Sequence, residues 1–199
     1  MIRVLEPLLQ AGKVRVYSLD SIAGRTWLSG EQSARYCSRV QNLFDTYIYR
    51  EVAPAIRNDC GDAEISIITA GASIGAFNAL ATVCRHPDAF STAVCMSGTY
   101  DLSRWLEGRM NEDFYFSSPY HYLPGLEESD QLSQLRQRLI LMPTGEGRWE
   151  DPGQSWRMAE ILGSQGVPNR VDPWGAEWDH DWPTWRTMLP KYLDELTRD

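Results

Sequence analysis

Ile65-Ser66-Ile67-Ile68-Thr69-Ala70-Gly71-Ala72-Ser73-Ile74-Gly75-Ala76-Phe77-Asn78-Ala79-Leu80-Ala81 is the stretch whose reading decides the fold. Ile65 to Thr69 is a short β-branched run, which predicts a buried strand. Ala76 to Ala81 opens an alanine-rich segment that ends at Arg85-His86-Pro87, which predicts a helix. Between them, Gly71-Ala72-Ser73-Ile74-Gly75 places glycine on both sides of a serine. So sharp a strand-to-helix turn strains the serine backbone and needs small flanking residues, because strand and helix approach closely. It presents one hydroxyl at the top of a sheet, backed by the free N–H groups of a helix N-terminus. Composition alone yields Gly-x-Ser-x-Gly in roughly one chain in fifteen of this length, so the weight rests on the flanking strand and helix.

The 199 residues suit one domain, 1–199, with chain enough for a sizeable core. A hydrophobic fraction of 43% and a charged fraction of 23% are those of a globular protein. The net charge of −8 argues against a nucleic-acid partner and against anionic membrane surfaces. Most of the eight tryptophans fall in the C-terminal third, which predicts an aromatic-rich surface or pocket there. Cys37, Cys60, Cys84 and Cys95 form no CxxC pair and no metal-ligand spacing with histidine. Cys84 and Cys95 lie in apolar stretches and read as reduced core residues. No secretory leader pattern and no membrane-length apolar run is visible, so the expected setting is the cytoplasm.

Apolar spacing predicts a helix over 2–10, ended by Gly12, and a strand over Val14–Leu19. A turn over 29–34 leads into a long helix, roughly Glu31 to Asn58, bent near Pro54. Further strands are expected over 65–69, 90–96, 139–142 and 170–174. Helices are expected from the Ser73 turn to about Arg85, over 155–165 and over 182–196. Gly166 suits a left-handed cap, and Pro183 is tolerated in a first turn. Residues 100–128 are aromatic, irregular and proline-containing, and read as a lid-like excursion, with Trp105 to Leu126 as its candidate lid. Strands alternating with helices indicate a parallel sheet covered on both faces.

A serine hydroxyl attacks well only when a base takes its proton and a carboxylate orients that base. Three histidines are available. His86 sits at a predicted helix end, where it serves the helix dipole. His121 lies in the irregular excursion, in a position to line a cleft. His180, in Asp179-His180-Asp181-Trp182-Pro183, follows the last predicted strand, at the same sheet edge as Ser73, and is the first choice. The loop Thr144-Gly145-Glu146-Gly147-Arg148-Trp149-Glu150-Asp151-Pro152 offers three carboxylates between serine and histidine in chain order. Glu150 is the first choice, with Asp151 and Glu146 as alternatives. Trp149, Trp178 and Trp182 adjoin the acid and base. The chemistry implied is nucleophilic attack by a serine hydroxyl with neither metal nor organic cofactor.

Several stretches resemble the putative-esterase family, the esterase D-like branch of the α/β-hydrolases. They are Ser18 to Trp27, Glu51 to Ile56, Gly71 to Phe77, His86 to Phe90, Ser97 to Leu102, Tyr120 to Leu126, and His180-Asp181-Trp182-Pro183-Thr184-Trp185. The resemblance implies an α/β-hydrolase-like three-layer sandwich with a mostly parallel sheet, serine hydrolysis of carboxylic esters, Ser73 as nucleophile in a nucleophile elbow, His180 as base, the Ile74 N–H as first oxyanion donor, and an acid within 144–151, best aligned with Glu150. It also implies more chain ahead of the segment matching Met1. That part carries the first strands and the loop that supplies a second oxyanion N–H, so the fold is expected to be N-terminally shortened. A truncated frame and a natural variant are the competing explanations. A strand is then missing between Val14–Leu19 and Ile65–Thr69, and the exposed edge should favour homo-oligomers. Two further readings are carried: a non-catalytic α/β-hydrolase-fold binding protein, and an acyltransferase to an acceptor other than water.

Overall fold

A computed structural model describes residues 1–106 and 108–198, with Ile2 by its backbone alone. Its helices precede the strands and then separate each strand from the next. Four helices come first: α1 (Ile2–Gln10), α2 (Ile22–Ser29), α3 (Ala34–Tyr47) and α4 (Ala53–Cys60). Then follow β1 (Ile68–Ala72), α5 (Ile74–Arg85), β2 (Thr92–Met96), α6 (Glu112–Ser117), α7 (Pro119–Tyr122) and α8 (Asp130–Leu135). The chain closes with β3 (Leu139–Thr144), α9 (Pro152–Ser164), β4 (Asn169–Pro173) and α10 (Trp182–Leu196).

The strands form one parallel sheet in the order β1-β2-β3-β4. Val94 lies level with Ala70 on one side and Leu141 on the other, so the middle strands are in register. Every residue of β2 is buried, as a parallel strand covered on both faces requires. Its side chains alternate between two cores. Ala93 and Cys95 pack with Leu80 and Val83 of α5 and with Met158 and Leu162 of α9. Val94 and Met96 pack with Leu5 of α1 and with Met188 and Tyr192 of α10. The layers are therefore α5 and α9, the sheet, then α1 and α10. A third cluster, in which Trp27 and Phe77 meet Leu102, Leu106 and Phe114, carries the 100–128 excursion. Burying a side chain such as Phe77, wholly hidden here, contributes about 1.5–3 kcal/mol. No helix among the described residues is long and apolar enough to cross a membrane.

Some expectations are corrected. Val14–Leu19 is not a strand: it runs without regular structure. Its alternating pattern suits a strand, but no neighbour pairs with it. Ile22–Ser29 is a helix where none was expected, capped by Ser21 Oγ on the Gly24 N–H and ended by Gly30 at φ 66°. The long helix starts at Ala34, after Ser33 caps the Tyr36 N–H. A π-turn over Ile48–Val52 joins α3 to α4, and Pro54 sits harmlessly in the first turn of α4. β1 lies three residues later than the apolar run suggests.

β1 ends the sheet. The Ile67 carbonyl and the Ser73 N–H bond toward β2. Alternation therefore turns the N–H and C=O groups of Ile68, Ala70 and Ala72 outward. No strand pairs with that edge among the described residues. A cleft of about 800 Å³ separates it from Val14–Leu19, with Ile48, Val52 and Leu193 among its apolar walls.

Candidate active site

Ser73 follows β1 directly, at φ 55° and ψ −122°. Holding a non-glycine residue there costs on the order of 1–3 kcal/mol, so surrounding contacts must impose it. The Ser73 N–H donates to the Met96 carbonyl at 2.9 Å, and its carbonyl accepts the Thr99 N–H at 3.2 Å. Gly71 makes the turn sterically feasible, since a Cβ there would lie 2.1 Å from the Gly75 carbonyl oxygen. Gly75 is different. A Cβ on it meets nothing within 4 Å, because it faces the cleft beside β1. The expectation that both flanking glycines are needed for close approach thus holds for Gly71 alone.

The His180 Nε2 lies 2.9 Å from Ser73 Oγ, and its Nδ1 lies 3.3 Å from Glu150 Oε2. The tautomer with its proton on Nδ1 satisfies both contacts, donating to the carboxylate and accepting from the hydroxyl. Glu150 has 1% of its side chain exposed and His180 22%, so the acid is buried and the imidazole faces the opening.

Two loops carry this pair, and hydrogen bonds bind them together beyond the end of the β3–β4 ladder. Gly147 N–H donates to the Trp178 carbonyl and His180 N–H to the Arg148 carbonyl, each at 3.0 Å. Asp179 Oδ1 accepts the Arg148 N–H at 2.7 Å, and its other oxygen meets the Arg148 guanidinium at 3.2 Å. That N–H, reinforced by the guanidinium, holds the Asp179 carboxyl below the usual carboxylate range. Gly145 is needed here too, since a Cβ would strike the Trp178 carbonyl at 2.1 Å.

The remaining candidates fall elsewhere. Glu146 is exposed. Asp151 stands at the start of α9 without a side-chain cap and lies 3.7 Å from Arg157. His86 meets the buried Asp45 at 2.9 Å and stacks on Tyr49 with ring centroids 4.1 Å apart. His121 contacts the hydroxyls of Ser118 and Ser103 at 2.8 and 3.2 Å, and burial lowers its pKa. The Ile74 N–H starts α5 and has no acceptor among the described residues. Trp149 borders the opening above Ser73, while Trp178 packs on Trp174 and Trp182 on Trp185.

The opening is a cleft of about 280 Å³, walled by Thr99, Arg104, Trp149 and Gln154 around Ser73 and His180. Ser73, Ser97 and Trp149 are the non-glycine residues with positive φ among those described, at 55°, 47° and 65°. All three border this cleft: Ser73 and Ser97 directly follow β1 and β2, and Trp149 lies in the loop between β3 and α9. Sequence reasoning missed Ser97, Trp185 and Asp179 as parts of the site. Asp179 could be suspected as the neighbour of His180. Ser97 followed by Gly98 at a strand end was visible, but nothing in the chain pointed Trp185 toward it.

A parallel sheet between helical layers, with serine on a strand-to-helix turn and histidine and acid on loops at the same edge, defines the α/β-hydrolase fold. Within that class the chain belongs to the esterase family described as "Putative esterase", whose model matches residues 27–196. Solved structures agree on the fold. A ferulic acid esterase is 22% identical with a TM-score of 0.61, covering 78% of this chain and 60% of its own. The S-formylglutathione hydrolase of Staphylococcus aureus is 18% identical with a TM-score of 0.50, covering 66% and 51%. The fluorophosphonate-binding serine hydrolase F of Staphylococcus aureus is 15% identical with a TM-score of 0.52, covering 77% and 64%. The chain thus spans less than two thirds of each. No curated protein matches the sequence.

Proposed function

We propose that this chain hydrolyses a carboxylic ester through an acyl-enzyme on Ser73. The observation that carries the reading is the Ser73–His180–Glu150 line, with contacts of 2.9 and 3.3 Å. His180 Nε2 takes the hydroxyl proton as Ser73 Oγ attacks the carbonyl carbon. The imidazolium so formed is stabilised by Glu150, and it returns the proton to the leaving alkoxide. The Ile74 N–H supports the tetrahedral oxyanion from the start of α5. Water, activated by the same imidazole, then releases the acid. Family membership and the fold shared with serine hydrolases support this chemistry.

The cleft of about 280 Å³ suits a short acyl group on a small-molecule ester. The 100–128 excursion contributes Arg104 to the cleft wall and acts as its lid, in a chain folded as one domain. The four cysteines are unpaired, which supports a reducing compartment such as the cytoplasm. The open β1 edge supports self-association.

The test is turnover of a short-chain nitrophenyl ester together with labelling by a fluorophosphonate probe. Both are expected for the native chain, and neither for Ser73→Ala. Labelling without turnover indicates an activated serine lacking oxyanion support, which favours the binding-protein reading. Ester products formed with an added alcohol indicate acyl transfer.

A further inference from the structure

Glu150 has a second partner besides His180. Ser97 Oγ donates to Glu150 Oε1 at 2.6 Å, and the Trp185 indole N–H donates to Ser97 Oγ at 3.0 Å. The direction of this chain is fixed by its ends. An indole N–H can only donate, and an ionised carboxylate can only accept. Between them the Ser97 hydroxyl must receive from Trp185 and spend its one proton on Glu150. Ser97 is 3% exposed and Trp185 8%, so water does not compete.

The backbone is committed to the same arrangement. Ser97 sits at φ 47°, and its N–H donates to the Pro143 carbonyl at 2.8 Å. Trp185 also sets its ring edge-to-face on the His180 imidazole, with centroids 5.1 Å apart at 88°. One indole thus restrains the base directly and the acid through Ser97.

We propose that Ser97, held by Trp185, is the positioning residue of the acid arm: it occupies Glu150 Oε1 so that Oε2 alone faces His180 Nδ1. Without it, a buried carboxylate keeps one oxygen unsatisfied and is free to rotate, and the imidazole loses its fixed partner. The proposal rests on the Ser73–His180–Glu150 reading and deepens it.

The test compares the native chain with Ser97→Ala, Ser97→Gly and Trp185→Phe by two readouts. The first is the far-downfield proton resonance of His180 Nδ1–H, assigned with His180→Ala, which needs no turnover. The second is the rate of fluorophosphonate labelling at Ser73. Ser97→Gly relaxes the left-handed backbone while removing the hydroxyl, so it stays informative if Ser97→Ala folds poorly. The expected result is a resonance present in the native chain and lost in both Ser97 variants. Labelling should fall about ten- to a hundredfold in both. Trp185→Phe keeps the ring beside His180 but removes the donor, and should fall between. An unshifted resonance in both Ser97 variants, or no such resonance in the native chain, overturns the proposal. Failure of native labelling at Ser73 sinks the hydrolase reading separately, because the resonance is read without it.

Discussion

The Asp179 carboxylate accepts the Arg148 backbone N–H at 2.7 Å, tying the loop that carries His180 to the loop that carries Glu150. Asp179 touches neither Ser73 nor the cleft, so its effect is on placement. Asp179→Ala should lower kcat about ten- to a hundredfold with KM little changed, since small misplacements of a base are costly. Steady-state kinetics on a nitrophenyl ester decide this. An unchanged kcat removes the tie from the account.

The same tie has a pH dependence of known sign. The folded-state pKa of Asp179 is depressed by the Arg148 N–H and guanidinium. Its contribution is therefore full above the unfolded value, about 3.9, and is lost as pH falls through the lower folded value. Asp179→Asn should be less stable than the native chain at pH 6, and the gap should narrow only below about pH 4 and close at about pH 2. Urea melts across this range measure it.

His86 and His180 should separate stability from chemistry. His86 and Arg85 partner Asp45, whose side chain is 5% exposed. His86→Ala removes one of these bonds and the stack on Tyr49. It should cost about 1.5–3 kcal/mol in stability while Ser73 still labels. His180→Ala should lower kcat on the order of ten-thousandfold, a loss that His86→Ala should not show. Equal effects on both quantities in both variants would contradict the assignment.

Gly71 and Gly75 are equivalent in the motif and unequal in space. Gly71→Ala drives a methyl into the Gly75 carbonyl and should destabilise by about 4 kcal/mol or more. Gly75→Ala meets open space within α5 and should be neutral or stabilising by up to about 1 kcal/mol. Urea melts of the two variants compare them directly.

The outer edge of β1 should exchange faster than the paired strands beside it. Amides of Ile68, Ala70 and Ala72 point away from β2, whereas Ala93, Val94 and Leu141 lie within paired strands. Hydrogen exchange followed by NMR should show the difference. Slow exchange at Ala70 in the isolated chain would mean that another strand covers the edge in solution.

Much of the fold was legible because it is local. The Gly71–Gly75 turn, the periodicity of 182–196 and the apolar run at 139–142 each carry their own signal. Val14–Leu19 failed because alternation reports only that a segment suits a strand. Pairing is a tertiary fact, and here the would-be neighbour is a cleft. The helix over 22–29 was missed although Ser21 and Gly30 mark its ends, because Gly24 interrupts its apolar pattern. At the site, chain order brought Ser73, Glu150 and His180 into view. Ser97 and Trp185 stayed hidden because they are 88 residues apart and meet only through folding.

The left-handed trio at Ser73, Ser97 and Trp149 sets stability against activity. Each position costs on the order of 1–3 kcal/mol that glycine would return. Selection of this chain for heat resistance alone should therefore drift toward glycine at these three positions. Trp149 is the most exposed of the three and gives way first. A thermostabilised descendant would then keep its sheet and melt later, with the cleft around Ser73 reshaped.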